Sequence, residues 1–377
     1  MKIPFRHHHL FTIFALWDAT PSLPLDRLLY SYFRAHKAIG SKDRKFLSET
    51  VYGIVRWRGL IDHLIGPRQL FWPARYECYK ELDTDEIIAD EAIPAHIRCS
   101  CPRLLFDRLA GQYGIERAIE LCLVSNQQAP TTIRANLLKT TRGKLLQRLS
   151  SSWRVEPTKQ SKEGIRFAER ANFFQLPEFK EGLFEVQDEA SQLVASLVNA
   201  LPGEHVLDYC SGSGGKTLAF APGMEGRGQI YLHDIRLRAL QEAKKRMQRA
   251  GVQNVQFVRP DSKTLGKLKK RMDWIMVDAP CSGTGTLRRN PDMKWRYTDE
   301  MLERLIGQQR IVFERALGFL APHGKIIYAT CSILAEENER QVDHFLKAYS
   351  LKLVGEPFRS LPQTGEMDGF FAVTMEK

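Results

Sequence analysis

Two cysteines stand where side chains do chemistry. Cys281 closes the run Asp278-Ala279-Pro280-Cys281 after an apolar, β-rich stretch at Trp274–Asp278, and Cys331 follows Tyr328-Ala329-Thr330 at the end of the next such stretch, Lys325–Thr330. Open α/β sheets bind ligands beyond the carboxyl ends of their strands. A lone strand-end cysteine is usually structural, but two at equivalent ends, one of them near an acid, read better as nucleophiles. A thiolate that adds to C6 of a cytosine makes C5 electron-rich enough to attack a methylsulfonium. A carboxyl group at the N3 edge assists the addition, and a base then removes the C5 proton so that the thiol leaves. A free thiol is mostly protonated at neutral pH, so such a site must depress its pKa; Lys216, Arg288 and Arg289 are candidates for doing so.

A second constellation concerns a cofactor. Val206-Leu207-Asp208 runs into Cys210-Ser211-Gly212-Ser213-Gly214-Gly215-Lys216-Thr217. A glycine-rich turn between strand and helix brings backbone N–H groups close to a ligand. A phosphate-binding loop needs glycine at position 210, where Cys210 stands, and a dinucleotide fingerprint needs glycine at 217, where Thr217 stands. The tail Gly215-Lys216-Thr217 and a Walker-B-like Trp274–Asp278 keep the phosphate-loop reading open, and the third option is S-adenosylmethionine. Asp234 ends the next strand, 22 residues after Gly212, where an acid can accept ribose hydroxyls, and Asp261 follows the strand after that, placed to meet the adenine amino group.

The elements that position these residues follow from hydrophobic spacing. The stretches His205–Cys210, Gln229–Asp234, Val255–Arg259, Trp274–Asp278 and Lys325–Thr330 alternate with helical patterns such as Leu237, Leu240, Ala243 and Met247, closed by Gly251. Strand–helix alternation predicts a parallel doubly wound sheet, and Leu351–Val354 and Phe370–Met375 add two further strands. Short strands at Thr131–Leu137, Trp153–Pro157 and Gly164–Phe167 predict a small α+β module. The first third reads as helical, with Ser41 as an N-cap, a loop or helix edge at the acidic stretch Glu81–Glu91, and a helix from Pro102 to about Val124. The three parts span residues 1–125, 126–183 and 184–377.

Composition narrows the setting. The chain has 377 residues, 43% of them hydrophobic, and a net charge of +11, which favours a polyanionic partner. Twelve Lys or Arg face only two acids between Arg236 and Arg271, which reads as a track for RNA phosphates. Seven scattered cysteines fit a reducing cytosol rather than a disulfide framework. Cys99 and Cys101 lack a second pair for zinc, and His7, His8 and His9 read as a solvated terminus, so no metal is expected. Lys2 and Arg6 precede an apolar run, Leu10 to Trp17, which is too short for a membrane span and reads as a first helix.

Taken together, these motifs resemble the RsmB/Nop/Sun family of RNA cytosine-5 methyltransferases. Asp278–Cys281 with Ser282-Gly283-x-Gly285, Arg288-Arg289-x-Pro291, and Thr330-Cys331-Ser332 before Glu336-Glu337-Asn338-Glu339 carry the likeness. Gln187-Asp188-Glu189-Ala190-Ser191, Arg134-x-Asn136 and Asp368-Gly369-Phe370-Phe371 extend it over nearly the whole chain. The resemblance implies a Rossmann-like class I methyltransferase domain, an α/β fold with a mainly parallel sheet, preceded by a small α+β module and an all-α, NusB-like RNA-binding domain. It implies Cys331 as the nucleophile, Cys281 in product release, and Asp278 at the cytosine N3 edge and bordering the methyl donor. It also implies Cys210, Ser211, Gly212, Ser213, Gly214, Gly215, Lys216, Asp234 and Asp261 around S-adenosylmethionine, and Arg288, Arg289, Arg134 and Asn136 on RNA. The expected protein is a cytoplasmic monomer acting on a cytidine of small-subunit rRNA. In two places the chain departs from the family: Ser211-Gly212-Ser213 replaces Ala-Ala-Pro, predicting a looser loop, and Ala239 replaces an arginine, with Arg236 and Arg238 nearby. The rivals are a P-loop NTPase acting on nucleic acid, disfavoured by Cys210, and a non-catalytic RNA-binding factor, disfavoured by the intact Asp278, Cys281 and Cys331.

Overall fold

The chain folds as two units, one of residues Met1–Gln128 with Thr286–Met301 and one of residues Ala129–Gly285 with Leu302–Lys377. The structure, a computed structural model, describes residues 4–169 and 171–377; Lys2 lies outside them.

The first unit is built from helices α1 (Phe5–Ala19), α2 (Leu25–Ala35), α3 (Ser41–Ile65), α4 (Trp72–Glu81), α5 (Thr84–Ala89), α6 (Ala95–Arg98), α7 (Arg103–Tyr113) and α8 (Ile115–Asn126). Leu10, Ile13 and Phe14 of α1 meet Leu28 and Leu29 of α2 and Val51, Ile54 and Val55 of α3 in one apolar core, in which Phe14 stacks on Trp72 at 3.9 Å. Four expectations need correction. Ser41 is the first helical residue rather than the cap, and Gly40 stands before it without a side-chain bond. The acidic stretch carries a short helix, α5, capped by Asp83. The histidines lie within α1, and His9 is buried with Nδ1 2.7 Å from the Tyr32 hydroxyl. The helix expected from Pro102 is broken in two by Gly114, at φ +85°.

The segment 286–301 completes this unit. Trp295 Nε1 donates to the Val55 carbonyl at 2.7 Å, and Asp292 accepts from the Leu25 N–H at 3.2 Å. Lys294 is buried, donating to the Arg56 carbonyl and to Asn126 Oδ1, both at 2.7 Å. Burial pulls its ammonium down to about 8, although the Cys101 and Cys122 thiols pull the other way.

The second unit holds two sheets. The smaller, all antiparallel, has the order β2-β3-β1-β4, from β1 (Thr131–Ala135), β2 (Val155–Pro157), β3 (Gly164–Phe167) and β4 (Phe184–Val186), with α9 (Arg142–Ser150) and α10 (Pro177–Lys180). The chain continues through α11 (Glu189–Ser196), β5 (His205–Asp208), α12 (Thr217–Phe220), β6 (Gln229–His233), α13 (Leu237–Ala250), β7 (Val255–Val258), α14 (Lys263–Lys267) and β8 (Met272–Asp278). It ends with α15 (Asp299–Leu317), β9 (Leu320–Thr330), α16 (Glu339–Tyr349), β10 (Lys352–Leu353), β11 (Phe358–Ser360) and β12 (Phe370–Glu376). The larger sheet runs β10-β12-β9-β8-β5-β6-β7, with β11 on β12, and is parallel from β9 to β7.

This is the mainly parallel, Rossmann-like arrangement expected. Its strands are buried on both faces, because alternate residues feed two cores. Val206, Met276, Ile327 and Ala329 pack with Leu240, Ala243 and Met247 of α13. Leu207, Ile275, Val277, Ile326 and Tyr328 pack with Phe313 and Phe345 on the other side. Gly251 closes α13 at φ +85°, where its missing side chain costs nothing. The carboxyl ends of β5, β6, β8 and β9 thereby reach one edge of the sheet.

Lys294 generates a pH prediction. A lysine whose folded pKa lies below its unfolded value penalises folding while it is charged, so stability rises as pH climbs from about 8 towards 10.5. Lys294→Met should remove this rise, worth about 3 kcal/mol at full extent. Urea unfolding of both proteins at pH 7.5 and 9.5, with the pH values set at about these points to bracket the titration, checks it. An equal rise in the variant contradicts it.

Candidate active site

The chain turns from β8 and β9 bring the two cysteines together, with Cys281 Sγ and Cys331 Sγ 3.4 Å apart. Both loops are held by buried polar groups. Glu337 accepts from the Ser282 N–H at 2.8 Å, from Ser282 Oγ at 2.5 Å and from Gln309 Nε2 at 2.9 Å. Asn338 accepts from Thr330 Oγ1 at 2.6 Å and donates to the Ser332 carbonyl at 2.9 Å. Thr284 and Ser332 hydroxyls meet at 3.1 Å. The Gly285 N–H donates to the Cys331 carbonyl, and the Gly369 N–H to the Gly285 carbonyl, both at 2.9 Å. A Cβ on Gly285 would fall 2.1 Å from the Gly369 carbonyl oxygen, so only glycine admits this approach.

The electrostatics distinguish the thiols. The hydrogen bond with Cys331, and then burial, raise the Cys281 thiol well above its ordinary value. The two sulfur atoms are within hydrogen-bond reach, and either can be the donor. Lys216 Nζ lies 2.5 Å from Asp278 Oδ2. Burial pulls the Lys216 ammonium down, but Asp278, Cys331 and Asp208 outweigh it and hold it above its ordinary value. The third cysteine, Cys210, is raised by burial and by Asp278, Asp208 and Asp234, so it stays a neutral thiol.

The glycine turn fits an adenosyl ligand. Gly212 and Gly214 take φ +54° and +77°, and a Cβ on Gly214 would meet Met247 Cε at 2.5 Å. Two buried polar atoms here have no protein partner, Asp208 Oδ1 and Ser211 Oγ. Burial pushes the Asp208 carboxyl up to about 7, with Thr217 Oγ1 donating to its other oxygen at 2.6 Å. Asp234 accepts from the Gly212 N–H at 2.8 Å and from the Arg236 guanidinium at 2.9 Å. Burial raises its carboxyl, but these bonds win and hold it below its ordinary range. Arg236 thus takes the acid that Ala239 cannot reach. The loop is also not loose, because Arg246 Nη1 donates to Ser213 Oγ at 2.7 Å and to its carbonyl at 3.1 Å.

The remaining predicted residues are placed differently. Asp261 is exposed and paired with Arg259 at 3.3 Å. Arg134 and Asn136 are buried and do not face a nucleic acid: Arg134 Nε donates to Gln187 Oε1 at 2.7 Å, and Asn136 Nδ2 to the Gly182 and Ala250 carbonyls at 2.8 Å. Arg288, in the first unit, is only 1% exposed, and its carbonyl accepts from Arg56; Arg289 is half-buried. Arg134, Asn136 and Arg288 are therefore not laid out as open phosphate contacts. Glu337 and Asp208 lie within the sequence motifs, but neither motif assigns them a role. Gln309, in mid-helix, carried no sequence signal at all.

Among the described residues no group of three or more His, Cys, Asp or Glu could hold a metal ion, and no helix is long and apolar enough to cross a membrane. A family model described as 16S rRNA methyltransferase RsmB/F matches residues 195–376, and one described as an RsmF/B-like, ferredoxin-like domain matches residues 101–173. The chain is 31% identical over 351 residues to the ribosomal RNA small subunit methyltransferase B of Enterobacter sp. (strain 638), covering 88% of this chain and 77% of that one. It is 30% identical over 312 residues to a probable ribosomal RNA small subunit methyltransferase B of Synechocystis, covering 77% and 70%. A methyltransferase homolog from Pyrococcus horikoshii superposes with a TM-score of 0.66 at 29% identity, covering 78% of this chain and all of the other.

Glu337→Gln tests the loop network. Glutamine keeps the volume but must turn an amide donor towards Ser282 or Gln309. The expected loss is about 1–3 kcal/mol of unfolding free energy, read by urea titration. An unchanged midpoint at unchanged slope contradicts it.

Proposed function

Because the chain belongs to the RsmB/F family of 16S rRNA methyltransferases, we propose that it methylates C5 of a cytidine through a covalent bond from Cys331 to C6. It is an S-adenosylmethionine-dependent enzyme that methylates ribosomal RNA. The observation that carries the finer reading is the pair of thiols 3.4 Å apart at the ends of adjacent strands, beside the Lys216–Asp278 pair.

Residues Cys210 to Lys216, with Asp234, Asp261 and Asp278, would hold S-adenosylmethionine, which supplies an electrophilic methyl group on a sulfonium. The Cys331 thiolate adds to C6, favoured by the Lys216 ammonium and the Cys281 S–H. Asp278, fed by Lys216, places a proton at N3 as the addition proceeds. Once C5 carries its methyl group, a base removes the C5 proton, the C6–S bond breaks, and Cys331 leaves as thiolate while N3 returns its proton. Cys281 suits this last step. Its thiol is raised first by the hydrogen bond with Cys331 and then by burial; when Cys331 becomes a neutral thioether the first cause is gone, and Cys281 can pass its proton to solvent and, as a thiolate, take the one from C5.

RNA binding falls on other residues than Arg134, Asn136 and Arg288. Of the twelve basic residues between Arg236 and Arg271, all but Arg246 and Arg249 are exposed, which supports an RNA-facing surface there. The target base must leave its stack to reach a strand-end thiol. All seven cysteines are free, which supports a reducing cytoplasm. The P-loop reading loses its key residue, since Lys216 is committed to Asp278.

Cys331→Ala should bind RNA yet form no 5-methylcytosine, measured by mass spectrometry of digested RNA; full activity would falsify the assignment. Cys281→Ala should accumulate a protein–RNA adduct that survives denaturing electrophoresis. Free release of methylated RNA by that variant removes Cys281 from the last step.

A further inference from the structure

The glycine turn is held from outside the large sheet. Arg134 on β1 and Glu185 on β4 are register partners in the small sheet, and both side chains are buried. The Glu185 carboxylate takes Arg246 Nη2 at 3.0 Å and Nε at 3.1 Å, and it also pairs with Arg249. Arg246 then spends its remaining donor on the turn, bonding Ser213 Oγ at 2.7 Å and the Ser213 carbonyl at 3.1 Å. Beside it, Arg134 Nε donates to Gln187 Oε1 at 2.7 Å, and Gln187 Nε2 donates to the Gly215 carbonyl at 3.3 Å and to Ser191 Oγ at 3.2 Å. Arg246, held by Glu185 of the small sheet, therefore reaches the start of the Ser213-Gly214-Gly215 turn directly, and Arg134 of the same sheet reaches its end through Gln187.

A turn with glycine at 212, 214 and 215 has much backbone entropy to lose when it closes on a ligand. Bonds that order it beforehand remove that cost from binding. The geometry is also specific. Arg246 places Nε and Nη2 on one oxygen of the carboxylate and Nη1 on the turn, a set of donors that an ammonium cannot reproduce. Arg249 shares the carboxylate but does not reach the turn, since its other contact is with the Phe179 ring at 3.8 Å.

We propose that Arg246, held by Glu185, and Arg134, acting through Gln187, are positioning residues that pre-order the glycine turn for S-adenosylmethionine, making the small α+β sheet a structural part of the cofactor site. The proposal rests on the methyl-donor reading of that turn.

The test measures binding of S-adenosylhomocysteine to the full chain by calorimetry, with thermal unfolding followed in parallel. Arg246→Met should weaken binding about tenfold, and Ser213→Ala by about threefold, with Tm nearly unchanged for Ser213→Ala. Arg246→Lys should restore only part of the loss. Arg249→Met removes an equal charge from the same carboxylate and should stay within about twofold of the parent. The proposal is overturned if Ser213→Ala binds as the parent does, or if Arg249→Met loses as much as Arg246→Met. If Arg246→Met does not fold, Ser213→Ala and Arg246→Lys decide alone. Failure of the unaltered protein to bind S-adenosylhomocysteine overturns the methyl-donor reading itself, a separate result.

Discussion

One buried carboxylate keeps two loops from different strands in step. The thiols of Cys281 and Cys331 can share a reaction only while their sulfur atoms stay within contact. Glu337 makes that possible by taking two bonds from Ser282 on the first loop and one from Gln309 on α15, while Asn338, next in the chain, ties Thr330 and Ser332 on the second. Burial raises the Glu337 carboxyl, and the donors from Ser282, Ser332 and Gln309 pull it back. A buried acid is costly unless its lone pairs are satisfied. Here they are, so the acid serves as a rigid link where an apolar residue would let each loop settle separately.

Around this link the site sorts three cysteines by their surroundings. Cys210 lies among Asp208, Asp234 and Asp278 and is held neutral. Cys281 is held neutral by Cys331. Lys216 is the cation whose charge is sustained by Asp278 and Cys331 together. Asp278 and Asp208, which with Asp234 raise the Cys210 thiol, also help to hold the Lys216 charge.

Much of this was legible in the chain. Strands buried on both faces read as apolar runs, and the structure places β5 to β9 and β12 where those runs lie. The three-residue strands β4 and β11 were not foreseen, because three residues carry no period. The site divides along a similar line. Cys281, Cys331, Lys216, Asp234 and Asp278 stand beside turns that announce themselves by composition. The resemblance places Arg134 and Arg288 on RNA, yet both are buried, Arg134 with its Nε bonded to Gln187. Gln309 joins the site only through the packing of α15, which no local pattern reports.

The excursion of residues 286–301 into the helical unit has a consequence for synthesis. Val55, Arg56 and Asn126 emerge from the ribosome long before Trp295 and Lys294, which satisfy them. At about 5–20 residues per second, the gap lasts on the order of ten seconds or more. During that interval the nascent helices lack Trp295 and Lys294, and the N-terminal unit cannot reach its final state. Vectorial folding is therefore suspended until the loop behind Cys281 has been made, so that the first part of this chain to appear is among the last to finish.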